Sequence, residues 1–184
     1  MMRIITGTAR GTRLATLPGE DTRPTTEMAK EGMFSAIQFE LLGAEVLDLF
    51  GGSGQLALEA LSRGAAGAVI VENARRAADI VRENVRRTHF EQEASVMVSD
   101  AFSYLKNAHR QFNFVFSDPP YASGLNEKVA EKVLEFGILK PGGVLIAESD
   151  REDSVPRRLW EEFASVRAYR YGKTFVQMLR AKEE

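Results

Sequence analysis

From Ala44 onward the chain alternates short β-prone runs with longer helical ones, and this alternation restricts the possible fold more than any other feature. "EVLDLF" leads into "GQLALEALSRG", "GAVIVE" into "ARRAADIVRENVRRT", "ASVMVS" into "AFSYLKNAH" and "FNFVFS" into "NEKVAEKVLEFG", before "GGVLIAES". Repeated β–α units bury their apolar faces as parallel strands with helices crossing over them, so an α/β fold with a doubly wound, mostly parallel sheet is expected. The end departs from this pattern. "SVPRRLWEEFA" reads as a helix, and "SVRAYRYG" and "TFVQMLRA" are β-prone runs with too little chain between them for a crossover, which predicts an antiparallel strand. At the start, "MRIIT" and "TRLATL" flank "GTARG" and predict a small β-hairpin over residues 2–17. A helix follows, capped by Thr25 or Thr26 and stopped at Gly43. The expected organisation is a β-hairpin and helix extension over 1–43 and a ligand-binding domain over 44–184.

With 184 residues, 44% hydrophobic and 27% charged, the chain can bury one sizeable core. It has no cysteine, which excludes disulfides and thiolate zinc sites, and His89 and His109 lack metal-ligand spacing, so no metal is expected. No apolar run reaches membrane-spanning length and "MMRIITGTAR" lacks a secretory apolar core, so a cytoplasmic location is expected by default. A net charge of −2 gives no global attraction to nucleic acid. Locally, however, Arg3, Arg10 and Arg13 stand in a stretch from Met1 to Gly19 without an acid. That excess could meet phosphate, or it could be a solvated hairpin with incidental arginines. The arginines of the helix after Ala74 alternate with Asp79 and Glu83 at pairing distance, as on a solvated face.

In an open parallel sheet, ligands bind beyond the carboxyl ends of the strands. The first strand ends in Asp48, followed by Phe50, Gly51, Gly52, Ser53 and Gly54 and then a helix. Glycines there would let backbone N–H groups approach a ligand. The second strand ends in Glu72, about twenty residues past that turn, the distance at which a carboxylate accepts ribose hydroxyls. The third is followed by Asp100 and Ala101, placed to meet an adenine amino group and ring nitrogen. The turn lacks the third glycine of a pyrophosphate loop, and Asp48 would repel phosphate while attracting a cation. S-adenosylmethionine matches, with its ammonium, sulfonium and adenosine and no phosphate.

The fourth strand runs into Asp118, Pro119, Pro120 and Tyr121. "DLFGGSG", "VIVE", "VSDAF" and "SDPPY", in that order, resemble the motifs of S-adenosylmethionine-dependent methyltransferases with a Rossmann-like, seven-stranded fold. "MRIITGTARG", "DTRPTTEMAKEGMFSAI", "LEALSRGA" and "YGKT" narrow the resemblance to the RsmD family, which methylates guanine N2 in 16S ribosomal RNA. The chain departs from that family's usual pattern at Glu27, Met28 and Lys30, and at Gly51, where alanine or serine is usual and a looser turn is expected.

The resemblance implies S-adenosylmethionine as cofactor, 16S rRNA or the small ribosomal subunit as partner, and RNA contacts by Arg3, Arg10, Arg13, Arg23, Thr25 and Thr26; the sequence does not fix the oligomeric state, with a monomer favoured. The exocyclic amine of guanine is a poor nucleophile, because its lone pair is delocalised into the ring. Acceptors aimed at its N–H bonds favour pyramidal nitrogen, and Asp118 with the Pro119 carbonyl, stiffened by Pro120, would supply them. Tyr121 would stack on the base. A DNA adenine-N6 or cytosine-N4 methyltransferase, or a non-catalytic RNA-binding assembly protein with this fold, remains as an alternative.

Overall fold

The computed structural model describes residues 2–18, 24–120 and 124–184. Arg23 and Tyr121 lie outside them, as do the side chains of Thr25 and Thr26. Seven strands form one sheet in the order β3-β2-β1-β4-β5-β7-β6. They are β1 (Glu45–Asp48), β2 (Gly67–Glu72), β3 (Ala94–Val98), β4 (Phe112–Ser117), β5 (Leu139–Ser149), β6 (Ser165–Tyr171) and β7 (Thr174–Arg180). β1 to β5 pair in parallel, and β7 runs antiparallel to both β5 and β6. The expected mostly parallel sheet with an antiparallel C-terminal strand is therefore observed.

Alternation along the strands splits the core in two. Val46, Ile70, Phe114, Phe116 and Ile146 face one layer, which holds α1 (Pro24–Ile37), α2 (Gln55–Ser62) and α3 (Arg75–Thr88). Leu47, Val69, Val71, Val115 and Leu145 face the other, which holds α4 (Ala101–Asn107) and α5 (Leu125–Glu135). Strands buried on both faces need continuous apolar runs, and "FVF" and "VIV" supply them. No helix among the described residues is long and apolar enough to cross a membrane.

Two expectations are corrected. The hairpin over 2–17 shrinks to a single bridge, Arg3 to Arg13, supported by Ile4 N–H to Thr12 O (3.0 Å) and Leu14 N–H to Met2 O (3.0 Å). Gly11 N–H also reaches across to Ile4 O (2.9 Å), while several other N–H groups find partners on α2 and α3 instead. Glu59 accepts from Ile5 (2.9 Å) and Thr6 (3.1 Å), Ser62 Oγ from Ala9 (2.9 Å), and Asn84 Oδ1 from Ala15 (2.7 Å). Met2, Ile4, Ala9 and Leu14 thereby join the same core as the sheet. Gly7 makes the close approach possible: its φ is +99°, and a Cβ there would lie 1.8 Å from Ser62 O. The second correction concerns the last helix. Residues Arg157–Glu162 form a 3₁₀ turn begun by Pro156, with the Trp160 indole N–H donating to Val155 O (3.1 Å).

Candidate active site

The order of the sheet reverses between β1 and β4, and this is where a doubly wound fold opens a crevice beyond its strand ends. Asp48 closes β1 there, fully buried, with its Oδ1 accepting from Phe50 N–H (3.3 Å). Burial pushes its carboxyl up to about 7 against that hydrogen bond, and the neighbouring Asp118 and Glu72 charges add to the rise.

The glycine turn is built differently from expectation. Three of its N–H groups are already bonded within the protein: Gly51 donates to Val71 O (2.8 Å), Gly52 to Glu72 Oε1 (3.0 Å) and Gly54 to Gly51 O (2.7 Å). Gly51 presses against β2, where a Cβ would sit 2.6 Å from Ile70 Cγ2, so glycine there tightens the turn. Gly54 caps α2 at φ +85°. Above Gly52 the space is open, with nothing within 4 Å of a Cβ. The Ser53 hydroxyl donates to Met2 Sδ (2.9 Å), toward the N-terminal segment. Glu72 Oε2 also accepts from Ala74 N–H (2.6 Å), so this carboxylate is held by two backbone donors. Asp100 caps α4, its Oδ2 accepting from Ser103 N–H (2.9 Å), and Ala101 is buried as that helix's first residue.

Asp118 follows β4 and is partly buried, and burial raises its carboxyl to about 7. The register pairs Ser117 with Ala147, so the next positions along are Asp118, just after β4, and Glu148 on β5. Both line a cleft of about 90 Å³ together with Pro119, Pro120, Asn126, Arg151, Ser154 and Thr174. Glu148 is the site residue that sequence reasoning missed. Its carboxyl is pushed well above the carboxylate range by burial first and by Asp118 and Asp48 next. Its signal was available, since it stands one residue before the end of β5, but it sits outside the resembling motifs. Among the described residues no acidic cluster has the arrangement of a metal site.

A buried polar chain fixes this edge. Ser117 Oγ donates to Asn126 Oδ1 (2.6 Å), while Asn126 Nδ2 donates to Glu148 O (3.0 Å) and Ser154 Oγ (3.3 Å). Ser154 Oγ then donates to Gln177 Oε1 (2.8 Å), which also accepts from Val155 N–H (2.8 Å). One asparagine on α5 thus ties the ends of β4 and β5 to the loop before the 3₁₀ turn.

The N-terminal arginines are distributed less uniformly than their spacing suggests. Arg3, Arg10 and Arg13 are all exposed, and Arg3 pairs with Glu27 (3.2 Å). Lys30, by contrast, is buried. Its Nζ donates to Arg3 O (2.8 Å) and lies 3.5 Å from Glu59, and burial lowers its pKa. On α3, Arg82 pairs with Asp79 (3.0 Å) and Arg87 with Glu83 (2.6 Å), as a solvated face should.

Comparison with known proteins agrees with this architecture. The chain matches the family described as Conserved hypothetical protein 95 over residues 2–180. The ribosomal RNA small subunit methyltransferase D of Escherichia coli K12 is 36% identical over 155 residues, covering 84% of this chain and 78% of the relative. The solved structure of yhhF from Escherichia coli superposes with a TM-score of 0.85 at 34% identity, over 100% of this chain and 99% of that one. An O-methyltransferase from Bacillus cereus, solved in complex with SAH, shares the fold at a TM-score of 0.66 and 20% identity, over 89% and 84% of the two chains. The chain therefore belongs to the Conserved hypothetical protein 95 family, the RsmD family of methyltransferases.

Proposed function

We propose that this methyltransferase transfers a methyl group from S-adenosylmethionine to the exocyclic N2 of a guanine in 16S ribosomal RNA. The observation that carries this reading is that Asp48, at the end of β1, and Asp118, just after β4, stand at the reversal point of the sheet close enough for their charges to interact. The residues present fit the cofactor. A turn whose three glycine N–H groups are already bonded within the protein is a poor cradle for phosphate, whereas buried Asp48 and braced Glu72 suit a cationic nucleoside. Asp48 would hold the ammonium, and Glu72, with lone pairs to spare on both oxygens, the ribose hydroxyls. Asp100 and Ala101 would meet the adenine, and Phe50, Gly51, Gly52, Ser53 and Gly54 shape the floor. When bound, S-adenosylmethionine supplies an electrophilic methyl group on a cationic sulfonium.

Asp118 accepts from the guanine amine and favours its pyramidal form, with the Pro119 carbonyl as second acceptor. Nitrogen becomes acidic on gaining its fourth bond, and Asp118, poised near neutrality, holds and then takes that proton. Tyr121 stacks on the base. Residues 1–43 form the RNA-facing side, where Arg3, Arg10, Arg13 and Arg23 meet phosphates and Thr25 and Thr26 add hydrogen bonds. The protein acts as a monomer in the cytoplasm, on 16S rRNA or the small subunit. Incubation with methyl-labelled cofactor and either small ribosomal subunits, naked 16S rRNA or genomic DNA tests this. Label in RNA is expected, and label in DNA alone would refute it.

A further inference from the structure

We propose that Glu148 reads the N1–H of the target guanine and so selects guanine over the other bases that carry an exocyclic amine. This rests on the functional reading above and adds a residue role to it. The strand register sets Glu148 on β5 next to Asp118, just after β4, and both line one cleft. Guanine alone places a ring N–H donor beside its amine, whereas adenine and cytosine place a ring nitrogen lone pair there. Two acceptors side by side therefore fit the N1–H and N2–H pair of guanine, and meet the lone pair of the other bases with repulsion.

Two further features support the assignment. Among the described residues Glu148's carboxyl has no hydrogen-bond or ion-pair partner, so its accepting capacity is open to the cleft. Its backbone is held from two sides, by Asn126 Nδ2 on the carbonyl oxygen (3.0 Å) and by pairing with Val176 on β7. The carboxyl is thus positioned by the fold and committed to no structural bond. In the free protein burial and the neighbouring acids favour its protonated form. A cation seated at Asp48 offsets the charge repulsion, the smaller cause of that rise, and so moves the carboxyl toward the anion that accepts N1–H.

The discriminating probe is 2-aminopurine, which keeps the amine in the same place but replaces N1–H with a lone pair and lacks O6, so the effect of Glu148 is read from how its variants change the preference. Once the methylated nucleotide is mapped with the wild-type protein, two RNAs differing only there, guanine or 2-aminopurine, are compared by kcat/KM. The wild type is expected to prefer guanine by about tenfold or more, as for a site whose buried acceptor would otherwise be left unpaired. In Glu148→Gln, whose amide can donate as well as accept, that preference should shrink toward unity, chiefly through loss on guanine. Glu148→Ala should shrink it as well. Each ratio comes from one enzyme sample, so it does not depend on how much of a variant is folded. An unchanged ratio in both variants, with the two RNAs slowed alike, would overturn the assignment while leaving the methylation reading intact. No N2-methylguanosine with the wild type would overturn both.

Discussion

Asp48 and Asp118 both hold their protons to about pH 7 for the same reason, removal from water, and this has two opposite consequences. In the free protein each binds its proton more tightly folded than unfolded. The stability they contribute is present below the ordinary carboxylate pKa and is lost as pH rises toward about 7. Thermal melts of the free protein should show this decline, flattened in Asp118→Asn. A bound cation reverses the preference at Asp48, so cofactor binding should release a proton and tighten as pH rises through about 7. Calorimetry in buffers of different ionisation heat reads that release, and Asp48→Asn should abolish it and weaken binding. Asp118→Asn should cost roughly 10²–10⁴ in kcat, with cofactor affinity little changed. At this scale the sequence placed acids at strand ends, and the structure has Asp48 and Glu72 closing β1 and β2 and Asp118 just after β4. The sequence was silent on which loop N–H groups were already taken, since Gly51 and Gly52 are satisfied by Val71 and Glu72, both on another strand.

The elements were legible where periodicity decides, and illegible where distant side chains do. The N-terminal residues alternate as a hairpin should, but Glu59, Ser62 and Asn84 take the N–H groups a ladder would have used. Only "LEAL", an acid inside an apolar helical run, hinted at this. Glu59 is fully buried among two backbone donors, Arg63 Nε (3.0 Å) and Lys30 Nζ (3.5 Å). Glu59→Ala strands the buried Lys30 ammonium and should destabilise the fold by about 3–5 kcal/mol in denaturant titrations. Lys30→Met added to that variant should recover part of the loss. The 3₁₀ turn has a similar lesson, because Val155 is fixed by Gln177, 22 residues away, before a helix can begin.

For the whole molecule, the three-layer sheet and its reversal point account for where the acids gather, and the docked N-terminal segment accounts for a basic surface on a chain of net charge −2. Replacing Arg3, Arg10 and Arg13 together with glutamate should leave the melting temperature nearly unchanged, because all three are exposed. RNA affinity should fall and the salt dependence of binding should flatten by up to about two to three in log–log slope. Fluorescence anisotropy across a salt series measures both. The central claim, methyl transfer to guanine N2 of small-subunit RNA, is tested most directly by mass spectrometry of nucleosides. Small-subunit RNA would be incubated with S-adenosylmethionine and either the wild type or Asp118→Asn, then digested to nucleosides. N2-methylguanosine formed by the wild type and nearly absent with the variant is the expected result. Methylated adenosine or cytidine in its place, or no methylated nucleoside at all, would contradict it.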